Sequence, residues 1–286
     1  MIRSNTIQRL LLTALALASM LGGLLISEDA SAQAQIQTRK EKIGDFTIKT
    51  MKVVLSGNKF NDAALSDAIR NSWSISPYEV CTQEEFEKLM TDSKYYFMVQ
   101  DLDKEKPDDP GIWLLRVVKG TQGAKKIKDM YEVASFPLCG GDGATGREDA
   151  FIPAFLDIIQ SHIENSMLSG GNAIPTSSLR KVTMQDIYFV PEDLCPEVQT
   201  SYVEGLARKR VLLTDISEQL EIVLNGTLPS LVSYVVAPLS PTKHSVCYLL
   251  LIDARTHELY YFKKEKVGGA GRGYRKGNIR DVISHR

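Results

Sequence analysis

The chain has 286 residues, of which 43% are hydrophobic and 24% charged; 34 Lys and Arg face 35 Asp and Glu, for a net charge of -1. Such a balance excludes a general nucleic-acid or polyanion coat and predicts no nucleic-acid partner. The apolar share is that of a folded globular chain, not of a disordered one.

At the amino terminus, Arg3 and Arg9 precede an apolar run from Leu10 to Ile26, and Ala30-Ser31-Ala32 supplies small residues for a signal peptidase. This order predicts a cleaved signal peptide over residues 1–32 and a periplasmic or secreted protein beginning near Gln33. No later run is long and apolar enough to span a bilayer, so no transmembrane segment is expected after cleavage. The four cysteines, Cys81, Cys139, Cys195 and Cys247, form no C-x-x-C. Export permits disulfides in any of three pairings, and buried free thiols are the alternative.

The first half reads as strand, helix, strand, helix and three strands. Val53 to Leu55 begin the first strand, and Ala64, Leu65, Ala68, Ile69 and Trp73 recur at helical spacing behind a cap at Asn61 or Asp62. Ser76 to Val80 form a second strand, and Thr82 with Glu85 is a T-x-x-E capping box opening the second helix. Strands at Tyr95–Val99, Ile112–Val118 and Met130–Phe136 follow, the first two joined by a polar loop from Asp103 to Pro110.

The second half repeats the order. With an offset of 134, Val53-Val54-Leu55 fall on Ile187-Tyr188-Phe189, and Glu84, Phe86 and Leu89 fall on Glu218, Leu220 and Val223. Strands are predicted at Leu231–Val236, Val246–Asp253 and Glu258–Lys264, the last two joined by a turn at Ala254–His257. The expected fold is therefore α/β (α+β): two similar lobes, each β-α-β-α-β-β-β with a mixed sheet, related by internal duplication. The first lobe covers residues 43–169 with an extra helix over 150–168; a Gly/Ser/Asn/Pro linker over 170–183 leads to a second lobe over 184–267.

Between the fifth strand and the extra helix lies PLCGGDGATGRED, in which Gly141, Gly143 and Gly146 spell G-x-G-x-x-G. A dinucleotide site also needs an acid ending a second strand about 20 residues later, and SMLSGGNA stands there instead. Gly140-Gly141-Asp142-Gly143 resembles the phosphate loop of diacylglycerol-kinase-like and NAD-kinase-like enzymes, with Ala144 in the usual Thr place and Glu148 as the following acid. That resemblance implies a phosphate or nucleotide held by residues 140–146, with Gly140, Gly141, Asp142, Gly143 and Gly146 as contacts. The favoured reading is a strand-to-helix connector with Asp149 capping the helix from Phe151.

His162, His244, His257 and His285 lie at no metal-ligand spacing, no G-x-S-x-G elbow occurs, and Cys139 with His162 is the one thiol-imidazole pair near the glycine loop. No metal and no cofactor is expected. From Lys263 onward, eight basic residues face two acids among glycines. Residues 268–286 thus read as a mobile basic tail, with Lys263, Lys264, Lys266, Arg272, Arg275 and Lys276 offered to an anionic surface.

WSISPYEVCTQEEFEKL and LLLIDARTHELYYFKKEKV resemble segments of uncharacterised exported bacterial α/β proteins, a likeness that covers most of the chain after the signal and implies no activity. The opening strand-helix-strand-helix is similar in pattern to the small α/β modules of periplasmic assembly proteins such as the TolB amino-terminal domain. The expected function is an exported, non-catalytic binding or assembly protein of the bacterial envelope with an envelope protein or polymer as partner. A phosphate-binding enzyme using the glycine loop and attachment through the basic tail are the alternatives.

Overall fold

The computed structural model describes residues 43–56, 59–169, 174, 176–226 and 229–286. The predicted signal segment, residues 1–32, lies outside them, as does the glycine-rich start of the predicted linker. Two units are distinguished. One comprises residues 1–45 and 165–172, of which the described part is residues 43–45 and 165–169. The other comprises residues 46–164 and 173–286 and holds two five-stranded sheets.

The first sheet contains β1 (Met51–Val54), β2 (Tyr78–Cys81), β3 (Tyr96–Asp103), β4 (Ile112–Lys119) and β5 (Tyr131–Gly140), in spatial order β2-β1-β3-β4-β5. β1 pairs in parallel with β2 and β3, whereas β3, β4 and β5 form an antiparallel meander. The second contains β6 (Asp186–Phe189), β7 (Val211–Leu213), β8 (Ser230–Val236), β9 (Val246–Asp253) and β10 (Leu259–Lys266), ordered β7-β6-β8-β9-β10 with the same parallel and antiparallel pairs. The two halves therefore share one topology, as the duplicated pattern predicts. The offset is 134 between Ile112–Lys119 and Val246–Asp253, but only 128 between the starts of β5 at Tyr131 and β10 at Leu259.

Local chemistry explains the helices. α1 (Lys59–Ser72) joins β1 to β2, and Leu65, Ala68 and Ile69 on it are buried. Asp62 lies inside this helix, not at its cap, and its carboxylate accepts from the Ser56 amide and hydroxyl at 2.8 Å each. α2 (Gln83–Leu89) opens with the predicted capping box: the Glu85 amide donates to Thr82 Oγ1 and the Thr82 amide to Glu85 Oε2. α3 (Glu148–Ser169) begins two residues before the predicted helix over 150–168. In the second half, α4 (Thr200–Glu204) and α5 (Ile216–Asn225) follow β6 and β7, with Asp215 capping α5 by accepting from the Glu218 amide.

Two boundaries are corrected. The predicted linker 170–183 runs into a 3-10 turn, Leu179–Val182, whose Leu179 and Val182 are buried in the second lobe's core. Residues 268–286 are not a free tail: Lys276–Ser284 is helix α6, and Tyr274, Ile279 and Val282 are completely buried with Phe189 and Leu249. The apolar side chains at 274, 279 and 282 outweigh the intervening glycines, since burying three such groups stabilises by several kcal/mol, roughly. All four cysteines are free thiols, so no disulfide forms. Among the described residues, no helix is long and apolar enough to cross a membrane.

α3 joins the two sheets. Phe155 packs on Phe136 of β5 with ring centroids 5.1 Å apart, while Phe151 and Phe155 meet Tyr234 of β8 at 4.4 and 5.4 Å. Strand β8 is consequently buried along its whole length, with Tyr234 turned to α3 and Leu231 and Val235 to the second lobe's own core. Further links are the pairs Lys264–Glu105 (2.8 Å) and His257–Asp157 (2.7 Å) and the Ser245 hydroxyl on Asp109.

Candidate functional site

In the first sheet the chain leaves β1 through α1 to β2 on one side and returns through α2 to β3 on the other. The carboxyl ends of β1 and β3 therefore flank a topological switch point, the place where open α/β sheets leave a crevice. A cavity of about 670 Å³ occupies it. Val54 at the end of β1, Phe86 of α2, Val99 of β3 and Trp113 of β4 give it apolar walls, and Ser56, Gln83 and Gln100 provide hydrogen-bonding groups. Residues 139–144, at the end of β5, close the remaining side. Among the described residues, no lysine, arginine or histidine lines it, and Asp142 is the one acidic residue along its wall. A second space of about 200 Å³ adjoins it, sharing Gln100, Cys139 and Ala144.

The glycine loop serves the joint between the lobes. A Cβ on Gly140 would lie 2.5 Å from Ala237 O, and one on Gly141 would lie 2.1 Å from Pro110 O. Both distances are impossible for a real side chain, so the close backbone approach demands glycine. The Asp142 carboxylate accepts from the Leu239 and Ser240 amides of the second lobe, at 2.8 and 2.7 Å. The amides that a phosphate would need are engaged: Gly141 N donates to Gly111 O (2.8 Å), Gly143 N to Gly140 O (3.4 Å), Thr145 N and Gly146 N to the Glu148 carboxylate (2.8 and 2.7 Å). Glu148, in the first turn of α3, thus ties down the loop before the helix, and Asp149 lies inside the helix instead of capping it.

Cys139 borders both spaces, but burial, reinforced by the negative charge of Glu148, pushes its thiol pKa up to about 12. His162 is buried on α3, 14 residues after Glu148, which places it about 21 Å along the helix. The thiol and imidazole are not brought together. The six predicted surface cations are also separated: Lys263 pairs with Glu265, Lys264 with Glu105, and Lys276 sits 5.3 Å over the Tyr202 ring. Arg272 donates to Pro238 O and Arg275 to the carbonyls of Lys266 and Val267. Lys266 stands exposed at the end of β10.

The equivalent crevice in the second lobe is filled. At the carboxyl ends of β6 and β8, Asp193, Gln219 and Ser233 surround the guanidinium of Arg147, which arrives from the first lobe at the start of α3. Arg147 Nη1 and Nη2 donate to the two Asp193 oxygens at 2.8 and 3.0 Å, and Nη2 also to Gln219 Oε1 (2.6 Å) and Ser233 O (3.2 Å). The Ser233 hydroxyl donates to Asp193 Oδ2 at 2.6 Å, and the guanidinium lies 4.9 Å from the Tyr234 ring centre. Burial draws the Arg147 pKa down, and the adjoining Asp193 carboxylate more than restores it, holding the guanidinium above its ordinary value. At the offset of 134 Ser233 falls on Val99 of the open cavity, and Gln219, four residues after the cap Asp215, holds the place that Phe86 holds four residues after the cap Thr82, an offset of 133 within this helix.

The loop itself is duplicated. At an offset of 128, Gly140, Gly141, Gly143 and Arg147 fall on Gly268, Gly269, Gly271 and Arg275. In the second lobe this segment is stitched to the loop after β6: Cys195 N donates to Tyr274 O, Tyr274 N to Asp193 O, and the Cys195 thiol to Ala270 O. The cavity residues Gln100 and Trp113, and the Arg147–Asp193 pair, were not singled out in the sequence. The one available signal was the matched Gly-Gly-x-Gly…Arg, hidden by the change of offset from 134 to 128. No family model matches the chain, and neither the curated proteins nor the solved structures compared with it contain a match.

Proposed function

We propose that this is an exported, non-catalytic binding protein of the bacterial envelope, and that the crevice of its first lobe receives a neutral, partly apolar group of an envelope ligand. The observation that carries the reading is the contrast between equivalent crevices: one is filled by Arg147 from within the chain, the other is open. Its walls offer Val54, Phe86, Val99 and Trp113 for contact and Gln83 and Gln100 for hydrogen bonds. Mixed walls of this kind and size suit a small amphipathic group. Among the described residues no cation stands on the walls to partner a phosphate.

Titration of the full chain with Nile red, a neutral apolar dye, tests the reading. Saturable binding should weaken at least tenfold in Gln83→Trp, which fills the mouth from an exposed position at the start of α2. Equal binding by the variant would refute the assignment of the cavity. The glycine-loop alternative is separated by thermal unfolding with ATP and Mg²⁺: a nucleotide at 100 times its Kd adds about 2.7 kcal/mol, a visible upward shift, whereas the proposed reading expects none. Export is checked by fractionating cells that express the chain and sequencing the recovered amino terminus, expected near Gln33.

A further inference from the structure

A basic face is assembled at the amino-terminal ends of β6 and β7, away from the cations that the sequence pattern had suggested. Two tight turns meet there, Leu179–Val182 and Ala207–Lys209. Arg286 ties them together: its Nη1 donates to Lys209 O at 3.0 Å, and its Nη2 to Val182 O and Thr183 O at 2.8 and 3.2 Å. The guanidinium is spent on backbone carbonyls, and those carbonyls hold the two turns side by side. Each turn carries a cationic dipeptide, Arg180-Lys181 and Arg208-Lys209, with all four side chains exposed.

Charge on this face is crowded, not neutralised. Arg210 pairs with Asp186 at 2.8 Å, yet no ion pair among the described residues engages Lys181, Arg208 or Lys209. Burial and the neighbouring Arg210 charge lower the Arg286 pKa, as expected where like charges are pressed together. Beside these cations Met184 is 75% exposed, one residue from a carbonyl that Arg286 holds. An unbranched apolar side chain standing among unpaired cations is the combination that recognises a bilayer surface: headgroup phosphates meet the cations while the thioether enters the acyl boundary. A duplex or a sulfated polymer would engage the cations and gain nothing from Met184. The overall charge of -1 also leaves this face as a local attraction within a molecule that does not bind polyanions generally.

We propose that the face formed by Lys181, Met184, Arg208 and Lys209 docks the protein onto a bilayer rich in anionic lipid headgroups. Nothing in this inference depends on the cavity of the first lobe.

The test is sedimentation of the full chain with phosphatidylglycerol/phosphatidylcholine vesicles and with pure phosphatidylcholine vesicles. The difference between the two removes any charge-independent contribution of the apolar residues 10–26. Each cation near an anionic surface is worth roughly a factor of five in affinity, so Lys181→Gln/Arg208→Gln/Lys209→Gln should reduce that difference about a hundredfold. Met184→Ser should weaken vesicle binding roughly fivefold or more while leaving binding to a DNA duplex unchanged. Lys263→Gln/Lys264→Gln should have little effect. All of these positions are exposed, and an unchanged thermal melt confirms that the variants fold. No preference for anionic vesicles, a triple variant that binds like the parent, or an equal loss in Lys263→Gln/Lys264→Gln would each overturn the proposal. Binding to duplex DNA as tight as to vesicles, insensitive to Met184→Ser in both cases, would replace it with a generic polyanion site.

Discussion

Removing the Arg147 side chain tests the joint between the lobes most directly. Arg147→Ala leaves the Asp193 carboxylate, 1% exposed, with the Ser233 hydroxyl as its remaining side-chain donor, and deprives Gln219 Oε1 and Ser233 O of one donor each. Breaking a buried ion pair by deleting one partner typically costs about 3–5 kcal/mol, because the charge left behind keeps its desolvation penalty. For a folded unit of this size each kcal/mol moves Tm by about 2–4 °C, so the expected loss is roughly 6–20 °C. Replacing both residues, Arg147→Met with Asp193→Leu, removes the charges together and should restore a large part of that loss. The assay is a double-mutant cycle by urea unfolding, with Arg147→Met, Asp193→Leu and the pair measured under one buffer. A strongly favourable coupling energy, about 2 kcal/mol or more, supports the geometry. Additive single losses, or a loss below about 1 kcal/mol in Arg147→Ala, would show that the guanidinium does not occupy the second crevice in solution.

The glycine loop offers a graded series. Gly141→Ala drives a methyl group to 2.1 Å from Pro110 O and should cost about 1–3 kcal/mol or more, whereas Gly146→Ala meets nothing within 4 Å and pays only for its φ of +86°, about 1 kcal/mol. Equal losses in urea unfolding would refute the close-approach account. Asp142→Ala removes the acceptor for two amides of the second lobe and should cost about 1 kcal/mol, without altering a nucleotide response. Cys139 should resist alkylation at pH 8 by a factor of at least about a hundred relative to a free thiol, and Cys81, raised to about 11, should also be slow; mass spectrometry of iodoacetamide-treated protein reads both. In linkage terms, folded Cys139 retains a proton that the unfolded thiol releases near its ordinary pKa of 9.0. Its contribution to stability is therefore complete below pH 9 and declines as pH rises towards about 12. Cys139→Ser should flatten that decline.

Much of the architecture was legible because it depends on short-range periodicity. The Thr82–Glu85 capping box announces α2, β9 runs over the predicted Val246–Asp253, and the turn at Ala254–His257 forms with the Asp253 carboxylate accepting from the Arg255 and Thr256 amides. The same dependence explains what was misread. Glycines and arginines after Val267 have the composition of a loose end, and only the sheet already in place shows that Tyr274, Ile279 and Val282 share one buried face. Asp149 has the right residue type for a cap, but Glu148 reaches back to two amides that the turn at Gly146, with its positive φ, directs towards it. The cavity itself is drawn from β1, α2, β3, β4 and β5, and the pair Arg147–Asp193 joins residues 46 apart across two lobes. No local spacing encodes such a meeting; it follows from sheet order, which the sequence pattern implies, and from lobe docking, which it does not.

The arginine repeated at positions 147 and 275 also bears on how such a protein can be inherited. Each half brings the same glycine-arginine segment to the same place, but one copy keeps its arginine at home, on the carbonyls of Lys266 and Val267, while the other sends it abroad. Two tandem copies are free to divide their tasks in this way, one crevice being committed to cohesion and the other released for change. The division carries an obligation: severed from each other, one half would keep a bare guanidinium and the other a buried carboxylate. The pair can be copied, lost or transferred as a whole, but its halves are no longer interchangeable parts.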